Sequence, residues 1–135
     1  MTYSITQIEG LDLDEIKMLK SLGIRTTERL LVAAKDAKGR KILAKKTGID
    51  EKRLLECANA CDHMRIKGMG RGYVVLLREV GVSTVRELQF RNPASLAKKM
   101  AEFNKKRKLV RFLPPEKLVQ RWVEQAKKLP LVISY

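Results

Sequence analysis

The chain has 135 residues, 44% apolar and 5% aromatic, so it can bury a core without disulfide or metal staples, built mostly from Leu, Ile, Val, Ala and Met. That palette favours helices over a sheet. Lys and Arg number 29 against 15 Asp and Glu, and the resulting charge of +14 attracts polyanions, nucleic acid first and anionic membrane second. No run approaches the roughly 18 apolar residues of a membrane span, and Met1-Thr-Tyr-Ser-Ile-Thr has no signal-peptide pattern, so the expectation is a cytoplasmic chain with no membrane partner.

From the N-terminus, Ile8-Glu9-Gly10-Leu11-Asp12 opens a helical stretch through Leu19 that should stop at Gly23, with Thr26 and Leu30 in the next helix. The same order returns with Ile66-Lys67-Gly68-Met69-Gly70, then Leu77, Gly81, Thr84 and Leu88. The offset is a constant 58 residues, so Gly10 matches Gly68, Gly23 matches Gly81 and Thr26 matches Thr84. Between these stretches Gly48 ends a helix and Asp50 can cap the next. In that helix Leu54, Cys57, Ala58, Cys61 and Met64 keep the 3.6-residue period of one buried face.

In the second copy Thr84 and Glu87 have capping-box spacing. Asn92-Pro93 starts a further helix, and the last begins at Pro114-Pro115 with Leu118, Val119, Trp122, Val123 and Ala126 on one stripe. Leu54-Leu55 resemble Leu118-Val119 at a larger offset, which places an insertion around Asn104 to Pro115. No alternating run suggests a strand, and the tail Leu131–Tyr135 reads as extended chain packing on the core. The organisation is therefore all-α: a first repeat over residues 1–65 and a second over 66–135, together one compact unit. Charge divides unevenly between them, with 13 basic and 10 acidic residues in the first and 16 and 5 in the second, net +3 and +11.

The segment Ile66 to Gly72 carries the chemistry. Ile66 and Met69 can anchor a turn, while Gly68 and Gly70 let the backbone bend sharply. A helix beginning near Gly70-Arg71 presents amides with no acceptor inside the helix, together with the positive end of its dipole. That combination binds anions from backbone alone, and the bare Gly68, Gly70 and Gly72 let a sugar-phosphate chain approach. Lys67 and Arg71 add cationic reach. Such contacts hold phosphate without reading bases, so the binding should be sequence-tolerant and salt-sensitive.

These residues resemble the helix-hairpin-helix DNA-binding motif, apolar-x-Gly-apolar-Gly leading into a helix, and Leu77, Gly81 and Val82 continue the likeness. From Tyr3-Ser4-Ile5 onward the chain also resembles an uncharacterised prokaryotic family, described as a domain of unknown function and built on two such motifs. The resemblance implies a tandem helix-hairpin-helix fold with additional helices, a SAM- or helix-hairpin-helix-like bundle. It also implies backbone binding of duplex DNA at Gly68, Met69, Gly70 and Arg71, sometimes with a monovalent cation at the Gly68–Gly70 turn. The first copy departs from the motif: Asp12 replaces the second glycine and Leu13-Asp14-Glu15 follow, carboxylates that cap a helix and repel phosphate. It reads as a self-capped structural copy.

Lys105, Lys106, Arg107 and Lys108, with Arg111, form the densest basic run and could track phosphates beside the hairpin, or could be a solvated face. Lys98, Lys99, Arg78 and Arg86 are secondary candidates. Cys57, Cys61 and the lone His63 do not supply the four ligands of structural zinc, and the cysteines read as core thiols, reduced in the cytoplasm. Tyr3, Tyr73 and Tyr135 are too scattered to make a stacking platform. No P-loop or nucleophile elbow is present. Some glycosylases with this motif carry a catalytic aspartate about twenty residues after it, but no aspartate occurs from Gly70 to Tyr135. The expected function is thus non-catalytic binding of nucleic acid, with duplex DNA as partner. The alternative is a protein-interaction or scaffold module in which the hairpins only organise the core.

Overall fold

A computed structural model describes residues 2–135; Met1, the first residue of the N-terminal stretch read above, lies outside the described residues. Among the described residues there are eight α-helices and no β-strand beyond one isolated antiparallel bridge, Ser4 to Thr26. The chain divides into two compact units: residues up to Arg65 together with Val132–Tyr135, and Ile66–Leu131.

The first unit holds α1 (Leu13–Ser21), α2 (Thr27–Ala34), α3 (Ala37–Thr47) and α4 (Glu51–His63), preceded by a short 3-10 turn, Ile5–Gln7. Helix α2 packs against α4 and α3, around a core that includes Ile5, Leu19, Leu30, Ile49 and Leu54. Val132 and Ile133 pack against this core, so the tail belongs with the first unit. The Ser134 amide donates to the Lys35 carbonyl (2.8 Å). Arg40, 5% exposed, gives Nη1 to the Ala34 carbonyl (2.9 Å) and Nη2 to the Ser134 carbonyl (2.7 Å). A buried guanidinium is tolerated because carbonyl oxygens take its N–H groups.

On α4 the expected face is buried, and Asp62 and His63 are buried with it. Asp62 pairs with Arg65 through Nε (2.8 Å) and Nη2. Burial raises the Asp62 carboxyl above its usual range, opposed by Arg65. The Cys61 thiol is pushed far up, first by burial and then by Cys57 and Asp62. Such a thiol is an inert core group. Among the described residues no cluster of three or more His, Cys, Asp or Glu could hold a metal ion, and no helix is long and apolar enough to cross a membrane.

The second unit holds α5 (Arg71–Glu79), α6 (Val85–Gln89), α7 (Pro93–Arg107) and α8 (Glu116–Lys128). Helix α8 packs against α6 and α7, and α5 against α7. Gln89 ties α6 to α8 by donating Nε2 to the Ala126 carbonyl (2.8 Å).

The internal repeat extends to individual hydrogen bonds. Helix α5 starts and stops 58 residues after α1. Ile24 N donates to Leu19 O at 3.0 Å, and Val82 N to Leu77 O at 2.8 Å. Thr26 caps α2 through the Arg29 amide (3.2 Å), and Thr84 caps α6 through the Glu87 amide (3.0 Å). The copies part company at the end of α6, which has five residues against eight in α2. Three residues, 48–50, join α3 to α4, whereas α7 is longer than α3 and eight residues, 108–115, join it to α8.

Candidate nucleic-acid interface

Both hairpins turn on a glycine in the left-handed region, Gly10 at φ +97° and Gly68 at φ +84°, a conformation costly for any residue with a Cβ. Two residues on, they diverge. Asp12 (φ −84°, ψ 173°) and Gly70 (φ −96°, ψ 178°) occupy equivalent N-cap positions with nearly the same backbone. Asp12 accepts from the Glu15 amide (2.8 Å), while Glu15 Oε1 accepts from the Asp12 amide (3.0 Å), a complete capping box. Arg53 then clamps Glu15 through both carboxylate oxygens (2.5 and 2.8 Å) and donates to the Gly10 carbonyl (2.5 Å). The Arg53 hydrogen bond holds the Glu15 carboxyl below its usual range.

At Gly70 no side chain caps α5, and a Cβ built there would meet nothing within 4 Å. The Gly72 and Tyr73 amides therefore have neither an acceptor within the helix nor a capping carboxylate. Not every amide of the turn is available. Lys67 N donates to Gln125 Oε1 (3.0 Å) and Met69 N to the Ile66 carbonyl (3.1 Å), and the Met69 side chain is fully buried. Met69 thus anchors the turn, and Lys67 contributes only its exposed ammonium. Arg71 is exposed at the first helical position.

The other two glycines have structural duties. Beneath Gly68 lie Leu118 Cδ1 and Trp122 Nε1, each 3.7 Å from where a Cβ would stand. Trp122 is fully buried, its Nε1 has no hydrogen-bond partner, and Tyr73 tilts against its ring at 5.1 Å. Trp122 Nε1 is an N–H donor and so is no ligand for a cation at the Gly68–Gly70 turn. A Cβ on Gly72 would come within 3.0 Å of Val110 Cγ1. Gly72 is bare because the inserted segment packs against it; the open approach is at Gly70.

The inserted segment is organised by a residue that sequence reasoning missed. Asn104 donates Nδ2 to the Val110 carbonyl (3.0 Å) and accepts from the Val110 amide (2.9 Å), as an adjacent strand would. Tyr73 Oη donates to the Phe112 carbonyl (3.0 Å). The loop is thereby fixed beside the start of α5. Gly70, Gly72, Tyr73, Leu109, Val110, Arg111 and Phe112 together line a cleft of about 320 Å3. The basic run is the end of a helix: Lys105, Lys106 and Arg107 form the last turn of α7, where cations complement the dipole, and Lys108 is its left-handed C-cap. All four are exposed. Arg107 stands over Phe103 (5.9 Å) and Arg111 over Phe112 (5.6 Å).

No curated protein and no solved structure matches the chain. A family profile matches residues 9–129, almost its whole length. The chain therefore belongs to the family described as a domain of unknown function (DUF4332).

Proposed function

We propose that the second unit binds nucleic acid, double-stranded DNA, through its phosphates and without reading base sequence, the hairpin 66–72 acting as a helix-hairpin-helix motif. The observation that carries this reading is the contrast at one repeat position. Asp12 closes the helix start in the first copy, and Gly70 leaves it open in the second. An open helix start attracts phosphate through oriented amides and the dipole, and this one lies in the unit that holds the net charge of +11. Amides from Gly70 to Tyr73 take the phosphate, Lys67 and Arg71 reach the adjacent ones, and the end of α7 extends the positive field. The first hairpin, clamped by Arg53, is structural. The role is binding and not catalysis, carried out in the cytoplasm.

Fluorescence anisotropy with a labelled duplex, titrated with salt, tests this directly. Log K should fall linearly with log salt, by a slope of about −0.9 for each phosphate contacted. Arg71→Glu should weaken binding and flatten that slope, with Lys105→Glu acting in the same direction. Binding no stronger than that of an equally basic control protein, or no change in Arg71→Glu, would refute the reading. Nuclease-resistant capture of a single protein partner would instead favour the scaffold alternative.

A further inference from the structure

We infer that Phe112 is a base-stacking residue and that the preferred ligand is a duplex with unpaired bases beside it, a single-strand/double-strand junction. The inference rests on the nucleic-acid reading and names its substrate class. Phe112 is 73% exposed, so most of its ring is open to a ligand. It is not on a loose tail. Its carbonyl is held by Tyr73, and two residues earlier Val110 is held on both sides by Asn104. The ring is thus presented from a fixed loop, at the rim of the cleft it shares with Gly70 and Gly72. Its sequence neighbours are cations and two partly exposed leucines, Leu109 and Leu113. Arg111 lies over the ring, Lys105, Lys106 and Lys108 are exposed nearby in sequence, and no carboxylate occurs between Glu102 and Glu116.

An exposed aromatic among cations fits a base with its phosphates better than an apolar protein surface, which would have to desolvate those charges. A paired base offers no face to such a ring unless the stack is opened, whereas an unpaired base does. The hairpin would hold the duplex phosphates, and the first unpaired base would lie on Phe112. The first unit has only residues 48–50 at the equivalent position and carries no counterpart of this loop.

The test uses the full chain and three probes: a fully paired duplex, the same duplex with a short thymine tail, and one whose tail has abasic sugars in place of thymidines. The two tails carry the same phosphates and differ in their bases, and the Phe112 variants isolate the stacking part of that difference. The wild type should bind the thymine tail more tightly than the abasic tail by roughly five- to a hundredfold, the range of base–aromatic stacking. Phe112→Ala should make the two affinities equal, and Phe112→Tyr should keep the difference. A 2-aminopurine placed first in the tail should be quenched by the wild type and by Phe112→Tyr only. Equal affinities for both tails in the wild type, or a preference surviving in Phe112→Ala, would overturn the inference while leaving duplex binding intact. Failure to bind any of the three probes would overturn the nucleic-acid reading and this inference with it.

Discussion

Tyr73 Oη donates to the Phe112 carbonyl at 3.0 Å, joining the first turn of α5 to the inserted loop across thirty-nine positions of sequence. Tyr73 also lies against Trp122, the largest buried side chain of its unit. Hairpin, loop and core therefore share one residue. Tyr73→Phe keeps the ring contact and removes the hydroxyl. It should cost about 1 kcal/mol or less by urea unfolding, the usual net value of one hydrogen bond. Amide exchange should rise in Val110–Phe112 but not in α8.

The glycines of the hairpin should separate by position. Gly68→Ala forces a Cβ into the left-handed region and should destabilise by about 1–2 kcal/mol in urea titrations. Gly72→Ala meets Val110 instead, so its effect should appear as shifted amide resonances in Leu109–Phe112. Gly70→Ala meets nothing and should leave both measurements close to wild type.

Glu15 supplies a pH signature for the first unit. Its carboxyl is lowered by Arg53, so the contribution is fully present above the unfolded-state value near 4.5 and is lost as pH falls through the folded value. Arg53 is partly exposed, which limits the pair to about 1 kcal/mol or less. Urea midpoints at neutral and acidic pH should show Arg53→Met less stable than wild type at neutral pH, with the difference shrinking in acid. A difference that grows in acid would show that another group dominates.

Arg40 ties the tail to the first unit. Arg40→Met fills similar space but abandons the Ala34 and Ser134 carbonyls. A destabilisation of about 2 kcal/mol is expected for polar groups left unsatisfied. The Ser134 amide, now bonded to Lys35, should lose exchange protection first.

Much of the fold was legible in the sequence because its punctuation is local. Gly10, Gly68, Gly23 and Gly81 all adopt positive φ, and Thr26, Thr84 and Asn92 cap the helices that follow them. The constant offset of Gly and Thr positions made the repeat visible before any contact was known. Asp12, Asp14 and Glu15 read as carboxylates that self-cap their helix, and the structure resolves this into a capping box between Asp12 and Glu15. The inserted segment was located but not understood. Its order comes from the Asn104 amide bonding a backbone six residues away, an interaction with no periodic signature. For the same reason Gly72 looked like an open approach, when Val110 packs against it, and Phe112 went unnoticed as a lone aromatic in a basic stretch. Arg40 was hidden by its type, since arginine is almost never fully buried unless its donors are met.

Gly70→Asp tests phosphate capture by the hairpin most directly, because it installs in the second copy the cap that the first already has. The backbone at Gly70 matches that at Asp12, and a Cβ there meets nothing. If the open amides of α5 hold DNA phosphate, this variant should be slightly more stable in urea, by a few tenths of a kcal/mol or more. Its affinity for duplex DNA at low salt should fall by roughly tenfold or more, since a like charge at contact distance costs about 1–4 kcal/mol. A variant that gains the cap's stability and binds duplex DNA as tightly as wild type would contradict phosphate capture at Gly70.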